Sequence, residues 1–248
     1  MATAIRDAIM ETTGDELIGL YLYGSLVTGH FEPDVSDIDL IAVLREVPDE
    51  ALLERLGDMH GHLALSDPEW DDRVDVDYIS QQGLAECRTH PSTIARISPG
   101  EPFQVLEAGR DFILDWYPAR AHAVALVGPS IDTLIPEILE TEYLDEVRRY
   151  LARFPDRFEE DASAGSRSYA VLTMCRGVYL LRDDERLSKR QAGRRARDEF
   201  PRWASVIDRA VAWRDAPSNG ADDDPAAVVE ARSFVIEMAG LLDLHPSE

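Results

Sequence analysis

Two apolar runs, Leu17–Tyr23 and Ile38–Leu44, constrain this chain more than any other feature. Both are rich in aliphatic and aromatic residues and have the length of buried strands. Between them lies a Gly24-Ser25 turn and a short segment closed by Gly29; the second run opens with Asp37-Ile38-Asp39. Strand side chains alternate faces, so Asp37 and Asp39 point the same way, about 7 Å apart along the strand, while Ile38 and Leu40 point into a core. Two carboxylates on one face of a buried strand end are costly unless a positive group sits between them.

A hard divalent cation such as Mg²⁺ suits that position, because it takes oxygen ligands and shares them with substrate phosphates. Upstream, Gly24 lets the backbone approach a ligand. Ser25 offers a hydroxyl and an N–H at an expected helix start, a natural place for phosphate. A phosphate cradle followed by a metal-binding carboxylate pair points to nucleotidyl transfer.

The chain of 248 residues has room for one large or two modest domains. Its formal charge of −23, with no polybasic tract, disfavours binding to a long nucleic acid and favours a small cationic substrate. The basic residues are 24 Arg and one Lys, Lys189. High acidity with almost no lysine fits a halophilic host; the arginine bias equally fits a GC-rich genome. Cys87 and Cys175 follow no CxxC spacing and are expected as reduced thiols. No apolar run has the length of a leader or a membrane span, so a soluble cytoplasmic protein is expected.

Helices are expected over 3–13 and 49–65, the second returning the chain to a third strand, Arg73–Ile79. That strand alternates strictly, with Val74, Val76 and Tyr78 on one face and Asp75 and Asp77 on the other. Residues 81–119 predict a short helix, a loop, an edge strand at Phe103–Leu106, and Ile113–Tyr117 packing on the core. A short apolar piece stops at Gly128-Pro129, and a domain boundary is expected near residue 130. Beyond it, helix-length periodicity covers 137–154, 168–182, 188–199, 202–213 and 226–242, with a polar loop over Asp215–Pro225.

Gly24-Ser25…Gly29 followed by Asp37-Ile38-Asp39, with strands on both sides, resembles the signature of the DNA polymerase β-like nucleotidyltransferase superfamily. Its pattern is Gly-Ser, a short helix, then Asp-x-Asp. In that superfamily a third carboxylate on a neighbouring strand joins the pair as ligand or base. The resemblance implies Asp75 for that role, with Asp77 in reserve. The later stretch Tyr169-Ala170-Val171-Leu172-Thr173-Met174-Cys175-Arg176-Gly177-Val178-Tyr179, then Leu187-Ser188-Lys189, resembles the helical C-terminal domain of the streptomycin/spectinomycin (aminoglycoside) adenylyltransferase family, as does Ala125-Leu126-Val127-Gly128-Pro129 at the domain junction.

Together these imply an α/β (α+β) nucleotidyltransferase domain with a small mixed sheet over 1–130 and an all-α helical bundle over 131–248, with the active site in the cleft between them. ATP as its Mg²⁺ complex would lie on Gly24-Ser25. Asp37 and Asp39 would hold the metal, and Asp75 would take the proton of an incoming hydroxyl or complete the metal site. Arg176 and Lys189 would meet the nucleotide phosphates. The acceptor would be small and cationic, such as an aminoglycoside. One departure bears on the acceptor: Ser166 or Ser168 stands where the drug-modifying members carry an acid. Glu107, Asp111, Asp115 and Asp161 are candidate acceptor-site acids, and Trp116 lies near the loop expected to carry a substrate-facing tryptophan. The rival readings are transfer to a protein or RNA acceptor, as in toxin–antitoxin pairs, and a catalytically silent nucleotide-binding regulator.

Overall fold

The two apolar runs form antiparallel strands β1 (Leu17–Tyr23) and β2 (Ile38–Leu44), paired from Leu17 with Leu44 to Tyr23 with Asp39. The computed structural model describes residues 1–70, 72–86, 88–157, 163–215 and 224–243. These divide into two compact units, Met1–Tyr143 and Leu144–Glu248.

In the first unit, α1 (Ala2–Thr13) precedes β1, and α2 (Glu50–Ser66) carries the chain from β2 back to β3 (Val74–Ser80). Asp49 caps α2, accepting a hydrogen bond from the Leu52 amide at 2.8 Å. This crossover makes β2 and β3 parallel, with Asp39 opposite Asp75 and Ile41 opposite Asp77. After α3 (Gln81–Glu86) come β4 (Ser92–Ser98) and β5 (Glu101–Ala108), then α4 (Ile113–His122) and β6 (Val124–Val127). The sheet order is β5-β4-β3-β2-β1-β6. Pro102 lies on the edge strand β5, where a missing N–H is tolerated. Gly128, at φ +88°, ends β6 where a Cβ would lie 2.3 Å from the Ile18 carbonyl oxygen, so only glycine allows this close approach.

Residues 40–44 of β2 are all buried because both faces of the sheet are covered. On one face Leu20, Leu40, Ala42, Leu44, Val76 and Tyr78 pack with Ile5 and Ile9 of α1 and Leu52 and Leu56 of α2. On the other, Tyr21, Tyr23, Ile41, Val43, Ile79 and Ile94 pack with Phe112, Ile113, Trp116 and Ala119. The aspartates of β2 and β3 belong to this second face, at its open end.

Two expectations change here. The residues after Gly24 form a single 3-10 turn, Gly24–Leu26, rather than an α-helix. And 92–98, expected as loop, is the full strand β4 beside β3. The Phe103–Leu106 edge strand is present and longer, as β5.

The helix α5 (Glu140–Ala152) runs from the end of the first unit into the second. The second unit continues with α6 (Phe154–Arg157), α7 (Ala164–Asp183), α8 (Lys189–Glu199), α9 (Ala204–Asp215) and α10 (Pro225–Leu241). Helix α7 is its centre, packing against α8, α9 and α10. Its side chains are buried almost all round, and Tyr169 and Arg176 are exposed along one line. The left-handed Asp184 (φ 56°) ends α7, and a Ser188/Gln191 capping box opens α8. The loop expected over Asp215–Pro225 lies mostly outside the described residues, as do Cys87 and Asp161.

Candidate active site

Three strands place the acids of the first unit. Tyr23 of β1, Asp39 of β2 and Asp75 of β3 are cross-strand neighbours in one row, and Asp77 pairs with Arg96 of β4 one step deeper. Directly paired residues share a face, so Asp39 and Asp75 rise side by side. Asp37 lies two residues before Asp39, at the end of a loop held by Arg73. Arg73 donates to the Ser36 carbonyl through Nη2 at 2.6 Å and to the Pro33 carbonyl, and its guanidinium lies 4.3 Å over the Trp70 ring. The Glu32 amide donates to the Ser36 hydroxyl at 3.0 Å.

Gly24 closes the site from the β1 side. Its φ is +68°, and a Cβ there would lie 1.9 Å from Asp39 Oδ2, so the turn's backbone sits directly against that carboxylate. The neighbouring Ser25 hydroxyl oxygen is buried without a hydrogen-bond partner. A buried hydroxyl left unsatisfied in this turn is a position a polar ligand would complete.

Asp75 has a hydrogen bond at one oxygen and a charge beside the other, which is itself buried without a hydrogen bond. Ser98 donates to Oδ2 at 2.9 Å, and Arg96 Nε stands 3.5 Å from Oδ1. Arg96 Nε is 2.9 Å from Asp77 Oδ1, an ion pair with the N–H directed off the line between them. Its Nη2 lies 3.9 Å from Asp115 of α4. The Asp77 side chain has no exposed surface. Burial pushes the Asp75 carboxyl above its usual range; Arg96 and Ser98 oppose this, and Asp37 adds to it. Burial pushes Asp77 well above its usual range too, opposed by Arg96 and reinforced by Asp75 and Asp115. Burial acts against the Arg96 charge, but the three acids outweigh it and raise its pKa. Tyr23 is held well above the usual phenol range by burial, then by Asp115, Asp77, Asp75 and Asp39.

Among the described residues no three His, Cys, Asp or Glu side chains converge as a metal cage. The donors fit a cation that takes one or two carboxylates and completes its shell with phosphate and water, as Mg²⁺ does, rather than an all-protein site.

The candidate acceptor acids separate. Asp115 shares Arg96 with Asp75; burial pushes its pKa up to about 6, opposed by Arg96 and reinforced by Asp75 and by Asp111, four residues before it. Glu107 pairs with Thr93 on the opposite face of the sheet from the acid row. Trp116 is 1 % exposed in the core beneath the sheet, so it does not face solvent. Arg96, Ser98 and Arg73 were missing from the sequence reading. The available signal was a lone arginine within Thr93-Ile94-Ala95-Arg96-Ile97, two strand positions from Ser98.

In the second unit, Arg176 is exposed on α7. Lys189, the first residue of α8, lies with Nζ 4.9 Å over the Tyr169 ring, and the Tyr169 hydroxyl meets that of Tyr150 at 2.7 Å. Ser168 is buried and donates to the Ala210 carbonyl at 2.7 Å, a link between α7 and α9; Ser166 is exposed at the α7 cap.

A glycine turn against a paired-carboxylate strand row, on a mixed sheet backed by helices, is the arrangement of a nucleotidyltransferase, and residues 5–107 match the sequence model of the nucleotidyltransferase domain. Residues 133–238 match that of the aminoglycoside adenylyltransferase C-terminal domain. The chain thus belongs to the aminoglycoside adenylyltransferase-like nucleotidyltransferases and is a transferase of that type. It shares its fold with the spectinomycin adenyltransferase AAD(9) from Enterococcus faecialis, whose crystal structure holds ATP and spectinomycin. The TM-score is 0.76 over 96 % of this chain and 97 % of that one, at 18 % identity. No curated protein matches the chain. Among the described residues no helix is long and apolar enough to cross a membrane.

Proposed function

We propose that the protein transfers AMP from Mg²⁺-bound ATP to a hydroxyl of a small cationic acceptor of the aminoglycoside class. The observation that carries this reading is Asp39 placed between the Gly24 backbone and Asp75 in one row. Gly24 and Ser25 bind the triphosphate through backbone and hydroxyl. Asp37 and Asp39 hold the metal with the phosphates, and Asp75 lies beside them as further ligand or base. Bound Mg²⁺ would supply charge neutralisation at the attacking and leaving oxygens. The acceptor oxygen attacks the α-phosphorus, its proton passes to the Asp75 carboxylate, and the bond to pyrophosphate breaks. Burial raises the pKa of Asp75, which makes its carboxylate a stronger proton acceptor than an ordinary aspartate. Arg176 and Lys189 are assigned to the nucleotide phosphates by family resemblance. A net charge of −23 supports a polycationic acceptor.

Calorimetry of ATP with and without Mg²⁺ tests the site. Binding strengthened by Mg²⁺ in the wild type and weakened in Asp39→Asn is expected; equal affinity in all three titrations would sink the metal assignment. Labelled ATP incubated with streptomycin, spectinomycin and other aminoglycosides tests the acceptor class.

A further inference from the structure

We propose that Arg96, anchored by the fully buried Asp77, is a positioning residue that sets the orientation of Asp75 opposite Asp39. This rests on the role given to Asp75 under Proposed function and adds residues that neither the glycine turn nor the Asp-x-Asp pair contains.

The anchor comes from strand register. Asp77 and Arg96 face one another across the β3–β4 ladder, so the guanidinium has little choice of height above the sheet. Its Nη2 donates to Asp77 Oδ2 at 3.4 Å and its Nε lies 2.9 Å from Oδ1 as an ion pair, against a carboxylate that has no exposed surface. The Phe112 ring, 5.3 Å away, backs the guanidinium plane. From that fixed position Nε reaches up to Asp75 Oδ1 at 3.5 Å, while Ser98, two residues along β4, donates to Oδ2 at 2.9 Å. The Asp75 carboxylate thus meets one strand at both oxygens, through a hydrogen bond from Ser98 at Oδ2 and the Arg96 charge beside Oδ1.

Stability does not account for this pair. Burying two charges costs desolvation that their attraction only partly repays, and an apolar pair of similar volume is usually as stable or more so. A fully buried carboxylate and a partly buried arginine kept directly beneath the acid row are accounted for by what they hold. Arg96 also touches Asp115, so a single positive charge serves three carboxylates and leaves the outer end of the row negative for a cation.

The test uses the full-length protein, with AMP transfer to spectinomycin and streptomycin as the activity, and Mn²⁺–ATP binding followed by electron paramagnetic resonance as an acceptor-free readout. The Arg96→Met/Asp77→Leu double variant removes the pair without stranding the fully buried Asp77 charge. The expected result is a folded protein whose KM for ATP stays within about threefold of wild type and whose kcat falls roughly tenfold to a hundredfold. Arg96→Lys, which keeps the charge but not the fork, should recover part of that loss. Ser98→Ala removes only the bond to Asp75 and should lower kcat severalfold with an unchanged thermal midpoint; it decides the matter if the double variant does not fold. Wild-type kcat in both Ser98→Ala and Arg96→Lys overturns the proposal, as does a loss confined to KM. A wild-type protein that binds Mn²⁺–ATP and transfers AMP while these variants match it overturns the positioning role alone. A wild-type protein that does neither overturns the functional reading and this proposal with it.

Discussion

Asp39 and Asp75 face each other across the parallel β2–β3 ladder, 36 residues apart in sequence, and the Gly24 backbone closes on Asp39 from the other side. This three-strand convergence makes the acid row a product of sheet register rather than of any one loop. Each element of it can be removed separately.

Gly24→Ala should cost function far more than fold. Its Cβ would meet Asp39 Oδ2 at 1.9 Å, and its φ of +68° is strained for alanine by about 1 kcal/mol. The carboxylate must swing away. We expect Mg²⁺–ATP affinity, measured by calorimetry, to fall at least about tenfold while the protein stays folded. Wild-type affinity would place the nucleotide elsewhere.

Asp75→Asn and Asp77→Asn should fail differently. Asp75 is 15 % exposed at the rim of the row, so its amide variant should fold and bind Mg²⁺–ATP but lose at least about 10²-fold in single-turnover AMP transfer. Asp77 is fully buried against the partly buried Arg96, so its amide variant takes from Arg96 the nearest of its three carboxylates and should lose roughly 1–3 kcal/mol of stability in urea titration. Asp77→Asn inactive at full stability, with Asp75→Asn active, would move the third carboxylate two residues.

His60 makes part of the stability acid-sensitive. It is 5 % exposed, its Nε2 lies 2.8 Å from the Tyr78 hydroxyl, and burial lowers its pKa to about 4 from 6.5. Below pH 6.5 the unfolded chain takes up a proton that the folded protein refuses until about pH 4. Stability from this group is therefore complete above 6.5 and declines as pH falls through that window, by up to about 3 kcal/mol. Thermal midpoints of His60→Gln should fall less steeply than wild type between those values. Parallel curves would mean that His60 is not the group responsible.

Arg176→Ala and Lys189→Ala should each reduce nucleotide affinity by about ten- to a hundredfold, the size of a charge-assisted phosphate contact. Arg176 is exposed, so its removal should leave thermal stability unchanged. Lys189 lies over Tyr169, and its loss should cost about 0.5–1 kcal/mol as well. A variant destabilised yet normal in ATP binding would have a structural role only.

How far the chain reveals itself depends on how many faces a segment buries. β1 and β2, covered on both sides, are continuous apolar runs, and their limits in the structure are those read from the residues. β3, apolar on one face and acidic on the other, is legible through alternation, and so is the shared face of Asp75 and Asp77. β4 is not. Ser92–Ser98 sits between His90-Pro91 and Pro99-Gly100, which read as turns, and its central Arg96 interrupts the apolar pattern. Only pairing with Asp77 explains an arginine there, and pairing is a long-range fact. The 3-10 turn at Gly24 escaped for a related reason: its form follows from closure against Asp39, not from local helix propensity.

The register that joins Asp39, Asp75 and Arg96 also has an order in time. A chain made from its N-terminus presents Gly24 and Asp39 first, then needs all of α2 before Asp75 can lie alongside, and the counter-charge of Arg96 arrives with β4. A nascent chain that has reached only Ser80 carries every acid of β2 and β3 and none of the cation that lets Asp77 go under. The sheet's centre thus waits on its fourth strand: until that strand docks, Asp77 has reason to stay in water, and the half-made domain has reason to stay open.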